Sequence, residues 1–149
     1  WLNDVNAITN DGTIFHNIIS KIKHHSEISK ILEGFLAQGK ISKTQRKEFE
    51  SKIKSIFNHK KLKKYFHSEF KTFNEREILT KSGKTLIPDK LVFLQRNKVG
   101  IIDYKTGKKN NAHKQQLNIY EEALKNMGII THEKVLIYTY NKIEVEIFK

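Results

Sequence analysis

Leu86-Ile87-Pro88-Asp89-Lys90-Leu91-Val92-Phe93-Leu94, followed by Gln95-Arg96-Asn97 and then Lys98-Val99-Gly100-Ile101-Ile102-Asp103-Tyr104-Lys105, decides how this chain folds. Residues 86–94 and 98–105 both read as β-strands, and the polar residues between them suit a hairpin connection. Side chains alternate faces along a strand, so Asp103 and Lys105 point the same way and Tyr104 points to the other side. Pairing the two strands brings Asp89 towards Asp103. The result is two carboxylates and a cation at one end of a hairpin, the groups a metal-dependent phosphodiesterase needs.

Outward from this hairpin, residues 69–80 look extended, and Lys81-Ser82-Gly83-Lys84 has turn chemistry leading back into the strand at 86. Downstream, the pattern predicts a helix over 113–126 that ends at Gly128, with Leu117, Tyr120, Leu124 and Met127 as its core face. Strands over 134–140 and 143–148 follow, joined by a tight Asn141-Lys142 turn. The first half has helical spacing. Ile14, Phe15, Ile18, Ile19 and Ile22 form one apolar stripe, with Asp11 or Thr13 as its N-cap. A second helix is expected over 26–38, stopped by Gly39, and a third opens at Ser42. That one runs through Phe49, Ile53, Ile56 and Phe57 to the basic cluster Lys60, Lys61, Lys63 and Lys64. The expected fold is a mixed α/β core, a central mixed sheet with helices on both faces and a helix crossing over between its third and fourth strands. Residues 1–149 read as one domain, with a helical part over about 11–66 and an α/β core over about 67–149.

Composition sets outer limits. A chain of 149 residues with 38% hydrophobic residues has enough apolar material for one core. No Pro-rich or Gly/Ser-rich linker divides it, and Pro88 is its sole proline. The absence of cysteine rules out disulfides, thiolate zinc sites and cysteine-ligated iron–sulfur clusters. Apolar runs are too short and too interrupted by charge to cross a bilayer, so a soluble domain without a membrane partner is expected. The formal net charge of +12 favours polyanions such as nucleic acid. Most of the excess is lysine in a chain also rich in Ile and Asn, a pattern that an AT-rich genome also produces, so the positions of the charges must decide.

Asp89, the Asp103-Tyr104-Lys105 element, the downstream Gln116-Leu117-Asn118-Ile119-Tyr120 and the upstream Gly12-Thr13-Ile14-Phe15-His16 occur in the order of motifs found in the PD(D/E)XK nuclease superfamily. The chain resembles the RecB-like exonuclease branch of that superfamily over roughly residues 12–140. The resemblance implies a restriction-endonuclease-like core preceded by helices. It implies Mg²⁺ or Mn²⁺ held by His16, Asp89, Asp103 and the carbonyl of Tyr104, hard oxygen donors with one imidazole that suits Mn²⁺. Lys105 would face the attacking water and the scissile phosphate. Gln116 and Tyr120, four apart on one helical face, would reach DNA or Lys105. Asn74-Glu75-Arg76-Glu77-Ile78 offers two candidates, one strand repeat apart, for the glutamate that the family often places on the strand before Pro-Asp, with Glu75 preferred over Glu77. Lys108, Lys109, His113 and Lys114 would contact backbone phosphates without reading sequence.

Each of these residues also has a plainer reading. A lone histidine on a helix is more often structural than a ligand. Asp103 and Lys105 could form a surface ion pair of little energetic weight. Against that, Asp103 ends an apolar run, where an unpartnered carboxylate is costly. The resemblance therefore implies a divalent-metal-dependent deoxyribonuclease of DNA recombination and repair, acting on single strands or duplex ends. By resemblance it would be the nuclease part of a larger bacterial, cytoplasmic helicase–nuclease, although no phosphate loop for an ATP motor occurs in this stretch. The alternatives are a nucleic-acid-binding or docking module that has lost turnover, and an enzyme that cleaves RNA.

Overall fold

The computed structural model describes residues 2–149, with side chains described from residue 11 onward. The chain divides between Glu69 and Phe70 into two compact units. Among the described residues, no helix is long and apolar enough to cross a membrane.

The N-terminal unit is helical. Helix α1 spans Leu2–Ile19, a 3-10 turn covers His25–Glu27, α2 spans Ile28–Ala37, α3 spans Lys43–Phe57, and a second 3-10 turn covers Lys63–Phe66. The expected N-caps Asp11 and Thr13 lie inside α1. Leu2, Val5 and Ile8 extend the apolar spacing upstream, so the helix begins earlier, and Asp11 instead accepts a hydrogen bond from Gln45 Nε2 at 2.8 Å. Ser42 does open α3. Its hydroxyl accepts from the Gln45 N–H at 3.1 Å while Gln45 Oε1 accepts from the Ser42 N–H at 2.8 Å, a reciprocal capping box. The apolar stripes meet in a core that includes Phe15, Ile18, Leu32, Ile53, Ile56 and Leu62, all at most 2% exposed. The rings of Phe57 and Phe66 stack at 3.8 Å and carry the chain round the corner after α3.

The C-terminal unit is a mixed α/β fold. A five-stranded sheet has the order β1-β4-β5-β6-β7, with β1 at Lys71–Asn74, β4 at Lys90–Gln95, β5 at Lys98–Lys105, β6 at Ile130–Tyr138 and β7 at Glu144–Phe148. All neighbours are antiparallel except β5 and β6, which run parallel because helix α4, Asn111–Asn126, crosses over between them. Helix α4 covers the sheet face that carries Leu91, Val99, Ile101 and Leu136, and buries Leu117, Tyr120 and Leu124 there. Each such side chain contributes about 1.5–3 kcal/mol. Met127 does not join this face. It is the C-cap residue and is 60% exposed, since the helix stops before it and Gly128 turns the chain away at φ 78°.

The extended stretch at 69–80 is broken rather than continuous. After Asn74, Glu75 takes φ 51°, which ends β1, and the chain makes a separate hairpin of β2, Ile78–Leu79, and β3, Thr85–Leu86. Pro88 lacks an N–H and so separates β3 from β4, dividing the expected 86–94 strand. The Glu75 N–H donates to the Asp89 carbonyl at 3.0 Å and closes the excursion at its base. Strand β6 begins at Ile130, before the expected 134, because its pairing with β5 starts at Lys98 although residues 131–134 are polar.

Candidate functional site

Register builds the site. Lys90 pairs with Ile102, the last rung of β4 against β5, and β5 then runs on through Asp103, Tyr104 and Lys105 beside β6 alone. Asp89 therefore sits across from Asp103. The Tyr104 N–H donates to Asp89 Oδ2 at 2.8 Å, and the Asp89 N–H donates to Asp103 Oδ1 at 3.3 Å. Each carboxylate is thus fixed by a backbone N–H near the other. Asp103 is 3% exposed and Asp89 9%. Burial, then the neighbouring Asp89 charge, push the Asp103 carboxyl up to about 7, against the pull of Lys105.

Lys105 lies on the same face as Asp103, as strand alternation requires. Its Nζ donates to Asp103 Oδ2 at 2.7 Å and to Gln116 Oε1 at 2.6 Å. Helix α4 thus delivers Gln116 to the lysine. One turn later, Tyr120 packs into the core at 4% exposure, and its hydroxyl donates to the Ile87 carbonyl at 3.4 Å. Burial and then the charges of Asp103 and Asp89 raise the pKa of that hydroxyl. Asp89, Asp103, Lys105, Gln116 and Tyr120 are brought together within the C-terminal unit.

The other expected site residues have surroundings of their own. His16 belongs to the N-terminal unit, where its Nδ1 is 3.5 Å from Ser20 Oγ. Glu75 is exposed and sits in the left-handed turn after β1, so it is not the strand residue expected. Lys109 is not turned to solvent alone. It pairs with Glu144 at 2.7 Å and Glu146 at 2.9 Å, two carboxylates on β7 that raise its pKa and offset its attraction for phosphate. Lys114 lies over the Phe148 ring at 4.6 Å, and Lys108 is exposed. His113 Nδ1 is 3.0 Å from the Tyr138 hydroxyl, and burial followed by the Lys105 charge lowers its pKa. Lys109, Lys114, Tyr138, Glu146 and Phe148 border a cleft of about 490 Å³ beside the start of α4.

Tyr138 was missed by sequence reasoning. It is the register partner of Lys105 on β6, a placement that appears only once β5 and β6 are aligned in parallel. Asn74 was missed too. Both polar atoms of its buried amide lack a hydrogen-bond partner, and its register partner is Lys90, a lysine only 1% exposed.

Among the described residues, no three His, Asp or Glu side chains converge to hold a metal. The donors present do fit a hard divalent cation at a two-carboxylate site, the kind in which Mg²⁺ keeps several waters and takes the rest of its shell from substrate phosphate. Two observations support that fit. Burial, and then the Asp89 charge, raise the Asp103 carboxyl to about 7 against the pull of Lys105, a cost that a cation between the two carboxylates would relieve. In a strand, the N–H and C=O of one residue point to the same edge, so the Tyr104 carbonyl faces the edge where its N–H meets Asp89. No family model matches the chain, and no curated protein matches it.

Proposed function

We propose that the C-terminal unit is the catalytic core of a divalent-metal-dependent DNA nuclease of the PD(D/E)XK, RecB-like kind, acting in recombination and repair beside helicase domains. The observation that carries this reading is the buried Asp89–Asp103 pair, with Asp103 raised to about 7 and joined through Oδ2 to Lys105. Buried like charges held by backbone N–H groups are costly unless a cation is part of the design. Perturbed carboxyls of this kind cluster at functional sites.

Asp89, Asp103 and the Tyr104 carbonyl would hold Mg²⁺ or Mn²⁺. When bound, that ion supplies Lewis-acid polarisation of a phosphoryl oxygen and a more acidic water. The chain's own residues do the rest. An ammonium has three donor directions, and Asp103 and Gln116 accept from two of them in Lys105, so the third is left for a non-bridging phosphate oxygen or the attacking water. Asp103 and Gln116 thereby orient the lysine. In the hydrolysis a bond forms from water oxygen to phosphorus, one P–O ester bond breaks, and the water proton ends on the departing oxygen.

The test is cleavage of end-labelled single-stranded and duplex DNA, with matched RNA, in Mg²⁺, Mn²⁺ or EDTA. The expected result is metal-dependent DNA cleavage that falls by at least about a hundredfold in Asp103→Ala and in Lys105→Ala, the scale of losing a principal electrostatic group. Undiminished cleavage in either variant refutes the proposal, and equal or faster RNA cleavage reassigns the substrate.

A further inference from the structure

The N-terminal unit holds a groove of about 410 Å³ that the catalytic reading does not use. Its walls include His24, His25, Lys63 and His67, and Phe57 and Phe66 lie beneath them. No carboxylate lines it, and residues 58–68 contain Lys60, Lys61, Lys63 and Lys64 with no Asp or Glu. His67 Nδ1 comes within 3.9 Å of Glu69 at the margin, a contact between two exposed side chains.

The aromatic floor is closed. Phe57 is 2% and Phe66 5% exposed, and their rings stack on each other with the edge of His25 against Phe57 at 6.4 Å. The groove therefore offers N–H donors and positive charge to an incoming ligand, and no open ring on which a base could stack. His25, Lys63 and His67 are exposed, and His24 is half-buried with its Nε2 lacking a hydrogen-bond partner. The imidazoles do not form a metal cluster. The Lys63 ammonium and the imidazole N–H donors over an aromatic floor match a row of phosphodiester anions, the nearby carboxylates being Glu27, which accepts from the His24 backbone N–H at 3.3 Å, and Glu69 beside His67.

We propose that this groove binds the phosphate backbone of a nucleic-acid strand, independently of base sequence, through His24, His25, Lys63 and His67. It goes beyond the hydrolytic reading and shares with it only the polyanionic partner. The groove anchors the strand through its own unit, and anchoring needs no divalent ion.

The experiment is fluorescence anisotropy of a labelled oligothymidylate with the whole chain carrying Asp103→Ala, in EDTA, over a range of KCl concentrations. Adding Lys63→Glu with His67→Glu should weaken binding by at least about tenfold at low salt. It should also make the slope of log K against log salt shallower by about one. Lys63→Arg should bind as before. Circular dichroism checks folding, and Lys63→Gln with His67→Gln replaces the charge reversal if that variant unfolds. Unchanged affinity and slope overturn the proposal, as does failure of the unaltered groove to bind. So does displacement of the oligonucleotide by millimolar inorganic phosphate at constant ionic strength, which would make the ligand a free anion. A chain that binds in EDTA but never cleaves supports the groove and refutes the nuclease; one that cleaves while the charge-reversed groove binds normally does the opposite.

Discussion

Replacing Asp103 by Asn should make the metal-free protein more stable at neutral pH while abolishing the proposed DNA cleavage. Asp103 has its folded-state carboxyl at about 7 against an ordinary 3.8, because burial and Asp89 both oppose its charge. Its folded value is the higher one, so the stabilising contribution is complete below about pH 4 and is lost as pH rises through 7. A difference of about 3 units at 1.36 kcal/mol each caps the loss at about 4 kcal/mol. Asn is nearly isosteric and removes the charge, yet it also removes an acceptor from Lys105, which keeps Gln116. A charge-assisted hydrogen bond is worth about 1.5–3 kcal/mol, so the net gain near pH 8 is about 1–2 kcal/mol. Urea unfolding in EDTA from pH 4.5 to 8 measures both quantities. The unaltered chain should lose stability across this range relative to Asp103→Asn, and the two should converge or cross at the acid end. Adding Mg²⁺ at about a hundred times its Kd should return about 2.7 kcal/mol to the unaltered chain and nothing to the variant. Parallel pH profiles for the two proteins would refute the reasoning, because they would mean that the carboxyl titrates alike in the folded and unfolded states.

Two further outcomes follow from contacts made by α4. Gln116→Ala frees Lys105 from one of its two acceptors, so kcat for DNA cleavage should fall by about tenfold with KM little changed, in single-turnover and steady-state assays. Lys134 is 6% exposed and donates to Asn118 and Glu121 on α4; Glu121→Ala should cost about 1–3 kcal/mol in urea unfolding by leaving a buried ammonium underpaired. Lys134→Met should cost less than Glu121→Ala, since it removes the charge together with the need for a partner.

Much of the α/β unit was legible because its signals are local. The hairpin turn at Arg96-Asn97, the alternation that sets Asp103 and Lys105 on one face, and the apolar stripe of α4 all sit within short windows of sequence. The start of α3 at Ser42 was readable for the same reason. What could not be read depended on non-local pairing. Nothing in residues 131–134 announces a strand; it is the length of β5 that recruits them. The pairing of Lys109 with Glu144 and Glu146 has no local signature, since β7 supplies those carboxylates from thirty-five residues or more along the chain. The break at Glu75 turns on a single left-handed residue of a type that seldom adopts that conformation, so neither composition nor periodicity marks it.

The excursion between Glu75 and Asp89 has a consequence for how such a protein can change. Its two ends are tied by one backbone hydrogen bond, Glu75 N–H to Asp89 C=O, directly beside the carboxylate pair. Doubling the length of a loop closed in this way costs only about 0.6 kcal/mol of closure entropy. Insertions at the exposed turn Lys81-Ser82-Gly83-Lys84 can therefore grow outward while Asp89 keeps its register against Asp103. The segment is a graft point, where new surface can be added next to the Asp89–Asp103 pair without re-engineering the sheet that holds it.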